Sequence, residues 1–208
     1  MLKRLVDIII ASLALIILSP CFLIVYYKVL RNLGSPVFFY QDRAGKDGKL
    51  FKIIKFRSMK DAVDAQGNPL PDDQRITPFG QKLRSTSLDE MPQLINVLKG
   101  EMSIVGPRPQ LKDFLPHYTP HQMRRHEVKP GMTGWAQVNG RNHLSWEEKF
   151  DLDVEYVDNR NIFLDLKIMF LTIIVMLKKE GVDAPDQAVG ACRFTRPTHN
   201  NDMIKTES

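Results

Sequence analysis

Ile8-Ile9-Ile10-Ala11-Ser12-Leu13-Ala14-Leu15-Ile16-Ile17-Leu18-Ser19-Pro20-Cys21-Phe22-Leu23-Ile24-Val25 is an apolar run broken only by Ser12 and the dipeptide Ser19-Pro20. Its length indicates a membrane segment. A straight helix over 5–30 would extend about 39 Å, enough to cross a hydrocarbon core of about 30 Å. Pro20 has no N–H for the Ile16 carbonyl and its ring crowds that carbonyl, so a break is expected there. The arms on either side, about 21 and 15 Å long, are each too short to reach the far face. The Ser19 hydroxyl can serve a carbonyl one turn back, which matters where no water can do so. Lys3 and Arg4 precede the run and Lys28 and Arg31 follow it, which keeps both ends on the cytoplasmic side by the positive-inside rule. A re-entrant hairpin broken at Ser19 and Pro20 answers these features. A kinked single span answers them too, since lipid-buried helices tolerate proline. A signal peptide does not, because the run is too long and no Ala-x-Ala site follows.

The rest of the 208 residues is ordinary in composition, 43% hydrophobic and 25% charged, and forms one modest domain beside the membrane stretch. A net charge of +5 and a pI near 9.2 suit an anionic partner: a phospholipid face, a nucleotide or a phosphorylated lipid. Nucleic acid is set aside for a membrane-tethered chain. Cys21 and Cys192 are too few and too far apart for a disulfide framework or a cysteine zinc site, which fits a cytoplasmic domain. Three regions follow: 1–33 membrane helix, 34–180 cytoplasmic domain, 181–208 polar tail.

Val37-Phe38-Phe39-Tyr40-Gln41 and Leu50 to Arg57 read as strands of a hairpin around Gly45-Lys46-Asp47-Gly48. Lys55 and Arg57, two apart, leave one face of the second strand and can converge on one anion, though a solvated strand face is the bland alternative. In Ser87-Leu88-Asp89-Glu90-Met91-Pro92, a Ser-x-x-Glu capping box is expected to open a helix that Gly100 closes. Asp89 and Glu90 then either complement the helix dipole, for about 0.3–1 kcal/mol each, or serve phosphoryl chemistry at a helix start. In Gly106-Pro107-Arg108-Pro109 the prolines stiffen the backbone around one guanidinium. Lys129 to Asn142 is a glycine-punctuated loop suited to a nucleotide or sugar. Ser145 to Val157 and Ile162 to Leu177 read as helices, the second interfacial or buried because Asp165 and Lys167 interrupt it.

Taken together, Ser19-Pro20, Lys55-Phe56-Arg57-Ser58-Met59, Leu88-Asp89-Glu90, Val105-Gly106-Pro107-Arg108-Pro109 and Gly134-Trp135-Ala136-Gln137-Val138-Asn139-Gly140-Arg141 resemble, in order, the monotopic phosphoglycosyl transferases. These are the bacterial sugar transferases that start glycoconjugate assembly, and the short chain is most similar to members that initiate N-linked protein glycosylation from UDP-N,N'-diacetylbacillosamine. The resemblance implies a mainly helical α/β fold: a re-entrant membrane hairpin plus a small cytoplasmic domain with a β-hairpin and interfacial amphipathic helices. It implies transfer of a sugar-1-phosphate from a UDP-sugar to undecaprenyl phosphate at the bacterial inner membrane, with Mg2+ and release of UMP. Asp89 would be the nucleophile and a magnesium ligand, with Glu90 as its partner. Lys55, Arg57, Arg84, Arg108 and Arg141 would neutralise the diphosphate, and Gln137 would touch the nucleotide. The resemblance favours the hairpin over the span. Inner-membrane lipids are expected partners, while a homodimer and contacts with later pathway enzymes stay open. The rival functions are a membrane phosphatase or phosphodiesterase, and a non-catalytic scaffold for anionic lipid.

Overall fold

The computed structural model describes residues 2–68, 70–140 and 144–178, so the tail expected at 181–208 lies outside the described residues. The apolar run forms α1, Leu2–Leu33, about 48 Å of helix. Contrary to the expectation of two separate arms, the helix continues through Pro20. The Ile16 carbonyl that proline leaves unpaired accepts the Ser19 hydroxyl at 2.8 Å, as the sequence suggests. A side chain thus replaces the missing backbone donor.

Charge ties α1 to the rest of the molecule at both ends. Near its start, Lys3 pairs with Asp165 at 2.7 Å and Arg4 caps the carbonyls of Val97 and Leu98. One turn on, the buried Asp7 carboxylate accepts from the Ser103 hydroxyl at 2.9 Å and the Ile104 N–H at 3.0 Å. At its end, buried Arg57 donates to the carbonyls of Leu33 and Gly34. Between the ends, Ala11 with Ala14 and Leu15, and then Phe22, Val25 and Val29, face the core. Ile16 to Pro20 are all exposed.

The expected hairpin forms: β1, Phe38–Ala44, pairs antiparallel with β2, Leu50–Phe56, in a register that sets Phe38 opposite Phe56. Phe22 of α1 packs on Phe56 with ring centroids 4.8 Å apart, which fastens the apolar helix to the hairpin. Short helices α2, Asp72–Arg75, and α3, Pro78–Ser85, follow; Thr77 caps α3 by accepting from the Gly80 N–H. The helix expected from Ser87 begins later. Ser87 adopts a left-handed backbone and makes no capping bond, Leu88–Glu90 form one 3₁₀ turn, and α4 covers Gln93–Lys99. The capping box fails because the Glu90 carboxylate is taken by cations from other elements. Gly100 closes α4 in the left-handed conformation, as expected.

Buried Asn96 of α4 replaces a missing strand on β2. Its Oδ1 accepts from the Ile54 N–H at 3.0 Å, and its Nδ2 donates to the Lys52 carbonyl at 2.8 Å and to Glu101 at 2.7 Å. A second, two-stranded sheet is parallel: β3, Ser103–Val105, beside β4, Gly131–Thr133. The chain leaving β3 passes so close to β4 that a Cβ on Gly131 would lie 2.1 Å from the Gly106 nitrogen. Between them runs α5, Pro120–Met123, and after them α6, Trp135–Val138. The last helices form as expected: α7, Trp146–Asn159, opened by a Ser145–Glu148 capping box, and α8, Ile162–Lys178. On α8, Asp165 and Ile168 are buried, while Phe163, Leu166, Phe170, Ile173 and Leu177 stay exposed at spacings of three and four.

Two stability predictions follow from buried polar groups. Asn96→Leu strands the Ile54 N–H and the Lys52 carbonyl, so thermal unfolding in detergent should show a loss of about 2–4 kcal/mol. His126 donates from Nδ1 to the Gly45 carbonyl at 2.9 Å and its Nε2 is buried without a partner. Burial and the neighbouring Arg125 push its pKa down to about 4 from 6.5. The unfolded chain therefore takes up the proton first, and stability falls as pH drops from about 6.5 toward 4. The loss reaches roughly 3 kcal/mol. Denaturation of wild type and His126→Asn across that window should show the steeper fall in wild type.

Candidate active site

Strand, turn and loop meet at Glu90. Lys55 reaches it from β2, with Nζ 2.7 Å from Oε1, and Arg108 reaches it from the loop after β3, with Nη2 2.7 Å from the same oxygen and Nη1 3.5 Å from Oε2. Burial alone would raise this carboxyl, but Arg108 and Lys55 outweigh it and hold Glu90 well below the usual carboxylate range.

Its neighbour Asp89 is in a different state. It is buried, yet among the described residues its carboxylate makes no hydrogen bond or ion pair. Burial and the charge of Glu90 push its pKa up to about 6, against the pull of Lys55, Arg84 and Arg108. Adjacent carboxylates therefore hold separate roles: one is saturated by cations, and the other is unengaged. The left-handed Ser87 and the tight 3₁₀ turn present them in this way, because a regular helix would have returned Glu90 to the cap.

The basic residues named from sequence divide. Lys55 and Arg108 hold Glu90, and Arg84 of α3, steadied by donation from Nε to the Ser58 hydroxyl at 2.9 Å, acts on Asp89. Arg57 is not brought to this cluster. It pairs with Asp61 at 2.7 Å and with the carbonyls that end α1, because the strand has ended at Phe56 and the alternation that would align it with Lys55 no longer applies. Gln137 sits on α6, its Nε2 bonded to the Met132 carbonyl at 3.2 Å and its Oε1 buried without a partner. Arg141 lies outside the described residues.

Three groups escape the sequence reading. Arg43 of β1 lies within the electrostatic reach of Glu90 and Arg108, and burial with the Arg108 charge lowers its pKa to about 10. Four positive charges, Arg43, Lys55, Arg84 and Arg108, thus face two carboxylates. Arg125 and Asp153 form a fully buried ion pair at 2.6 Å behind Arg108. A signal for this pair exists: Asp153 falls on the apolar stripe of Trp146, Phe150, Val154 and Val157, where a carboxylate requires a buried cation.

Mg2+ takes one or two carboxylates and fills its remaining positions with water and substrate phosphate, so the unengaged carboxylate would hold it only when a diphosphate offsets the four positive charges nearby. Asp89 would be the ligand. Among the described residues no group of three His, Cys, Asp or Glu side chains forms a larger metal site.

The family model described as bacterial sugar transferase matches residues 1–179. The chain belongs to the bacterial sugar transferase family. This sugar transferase is 55% identical over 194 residues to an uncharacterized sugar transferase of Bacillus subtilis, covering 93% of this chain and 96% of the relative. It is 44% identical over 189 residues to a UDP-glucose:undecaprenyl-phosphate glucose-1-phosphate transferase of Escherichia coli, covering 83% of this chain but only 39% of that longer protein. An exopolysaccharide production protein of Sinorhizobium fredii is 40% identical over 196 residues, covering 86% and 87% of the two chains.

The two carboxylates of the sugar transferase should respond differently to neutralisation. Glu90→Gln leaves Lys55 and Arg108 without their shared anion, and thermal unfolding should register a loss of about 2–4 kcal/mol. Asp89→Asn removes a buried charge that has no hydrogen-bonded partner, so its melting temperature should equal or exceed that of wild type.

Proposed function

We propose that the chain transfers a sugar-1-phosphate from a UDP-sugar to undecaprenyl phosphate and releases UMP, through a covalent phosphosugar on Asp89. The observation that carries this reading is the division between a saturated Glu90 and an unengaged Asp89. An Asp89 oxygen attacks the sugar-bearing phosphorus, and the bond to the bridging oxygen of the diphosphate breaks, freeing UMP. An oxygen of the lipid phosphate then attacks the same phosphorus, the acyl phosphate bond breaks, and the Asp89 carboxylate returns with the lipid diphosphosugar as product. Lys55, Arg84 and Arg108 stabilise charge that builds on the phosphoryl oxygens in both steps. Glu90 keeps Lys55 and Arg108 in place before substrate arrives. Bound Mg2+ would add charge neutralisation at the diphosphate.

The membrane arrangement supports the same reading. Both ends of α1 are tied to one globular body, while Ile16 to Pro20 stand exposed between them. This favours a helix that enters lipid and returns over a single span, with residues 34–180 as the domain on the cytoplasmic side. The exposed apolar stripe of α8 would rest in the interface beside it. An acidic pair held close to this surface meets a lipid phosphate without drawing the lipid out.

The donor belongs to the UDP-sugars. Relatives are named for glucose and galactose, so UDP-glucose and UDP-galactose join UDP-N,N'-diacetylbacillosamine as candidates. With undecaprenyl phosphate present, one of the three should give UMP and a lipid-linked sugar in equal amounts, and Asp89→Asn should lose at least about 10³-fold of that rate. Free sugar phosphate in place of lipid-linked sugar would instead identify a hydrolase. For topology, cysteines introduced at Leu2 and Ser35, in a background without Cys21 and Cys192, should both be labelled from the same face of sealed vesicles.

A further inference from the structure

The backbone of segment 107–110 is held through its carbonyls. Pro107 and Pro109 have no N–H to give, and four different partners take four successive oxygens: the Gly131 N–H at 2.9 Å, Arg125 Nη2 on Arg108 at 2.7 Å, Arg43 Nη1 on Pro109 at 3.2 Å, and the Ala44 N–H on Gln110 at 3.1 Å. Arg125 is the most constrained of these. Its Nε and Nη2 both donate to Asp153 Oδ2, at 3.1 and 2.6 Å, and its Nη1 donates to the Tyr118 hydroxyl at 3.0 Å. Its guanidinium carbon lies 5.5 Å from the Tyr118 ring centre and 5.2 Å from that of Phe150. Arg125 is 2% exposed and Asp153 is 3% exposed. A buried pair of this kind adds little stability over apolar side chains of the same size, so its value lies in fixing geometry.

We infer that Arg125, locked by Asp153, is a positioning residue that sets the place of the Arg108 guanidinium through the Arg108 carbonyl. This rests on the transfer reaction proposed above. The path is short: Arg125 fixes the Arg108 carbonyl, the flanking prolines stiffen the backbone there, and the side chain grips Glu90 at 2.7 Å. A displacement of the guanidinium by about 1 Å would suffice to lower the rate of a charge-stabilised step by up to about 100-fold.

A double-mutant cycle on the full-length chain in detergent tests this, with UMP release as the readout. Arg125→Lys keeps a charge beside Asp153, but its shorter, non-planar head lacks the Nη2 that donates to both Asp153 and the Arg108 carbonyl. Its kcat should fall about 10- to 100-fold, with the KM for UDP-sugar within about threefold of wild type. In an Arg108→Lys background, Arg125→Lys should add less than about a twofold further loss, because it acts through a group already altered. Losses that multiply, or a wild-type kcat for Arg125→Lys, overturn the inference. If Arg125→Lys does not fold, Arg125→Met with Asp153→Leu removes both charges together and takes its place in the cycle; failure of that variant to fold also counts against a positioning role. A wild-type chain that releases no UMP from any UDP-sugar refutes the transfer reaction itself, a result separate from either outcome of the cycle.

Discussion

The site depends on one carboxylate being held by two cations from distant parts of the chain. Glu90 draws Lys55 from β2 and Arg108 from the loop after β3 onto a single oxygen. Partly buried charges of opposite sign at 2.7 Å attract strongly, and each would be costly to bury without the others. That mutual need fixes the hairpin, the 3₁₀ turn and the proline-framed loop relative to one another. It also leaves Asp89, one residue away, with no hydrogen-bonded cation among the described residues, although Lys55, Arg84 and Arg108 act on it at longer range.

Around this centre the molecule uses buried charge to fasten elements whose apolar contacts alone would let them slide. Asp7, Lys3 and Arg4 secure the first turns of α1, Arg57 secures its end, and Asp165, which also accepts from Tyr156, joins α8 to α1. An apolar helix packed on an apolar hairpin has many near-equivalent positions. A carboxylate with two defined donors has one. The consequence is a fixed height for the acidic pair relative to the exposed apolar residues of α1 and α8.

Much of this fold was legible in the residues. The strands around a glycine turn, the helix that follows Ser145, the Gly100 stop and the Ser19 hydroxyl on the Ile16 carbonyl all depend on neighbours within a few positions, and all form. The failures share a cause as well. The Ser87 capping box obeys the same local rule, yet Glu90 finds stronger partners 35 and 18 residues away and abandons the cap. Arg57 has the spacing to join Lys55, but the strand ends before it and the carbonyls that close α1 take its guanidinium. Arg43 and Arg125 carried no motif, and their importance arises from which backbone oxygens they meet.

Local rules alone give a long apolar helix with a proline, a hairpin, an adjacent acidic pair close to a helix start and an arginine stiffened by prolines, because each follows from the covalent chain and from residues close by. Long-range contacts set which carboxylate is neutralised and which is left unengaged, that the acidic pair lies on a tight 3₁₀ turn, which arginines gather at that pair and which hold backbone carbonyls, and that both ends of α1 are tied to one body. Those outcomes turn on distances between groups far apart in the chain. Electrostatic attraction weakens with distance and strengthens with burial, and neither quantity exists until the chain has folded.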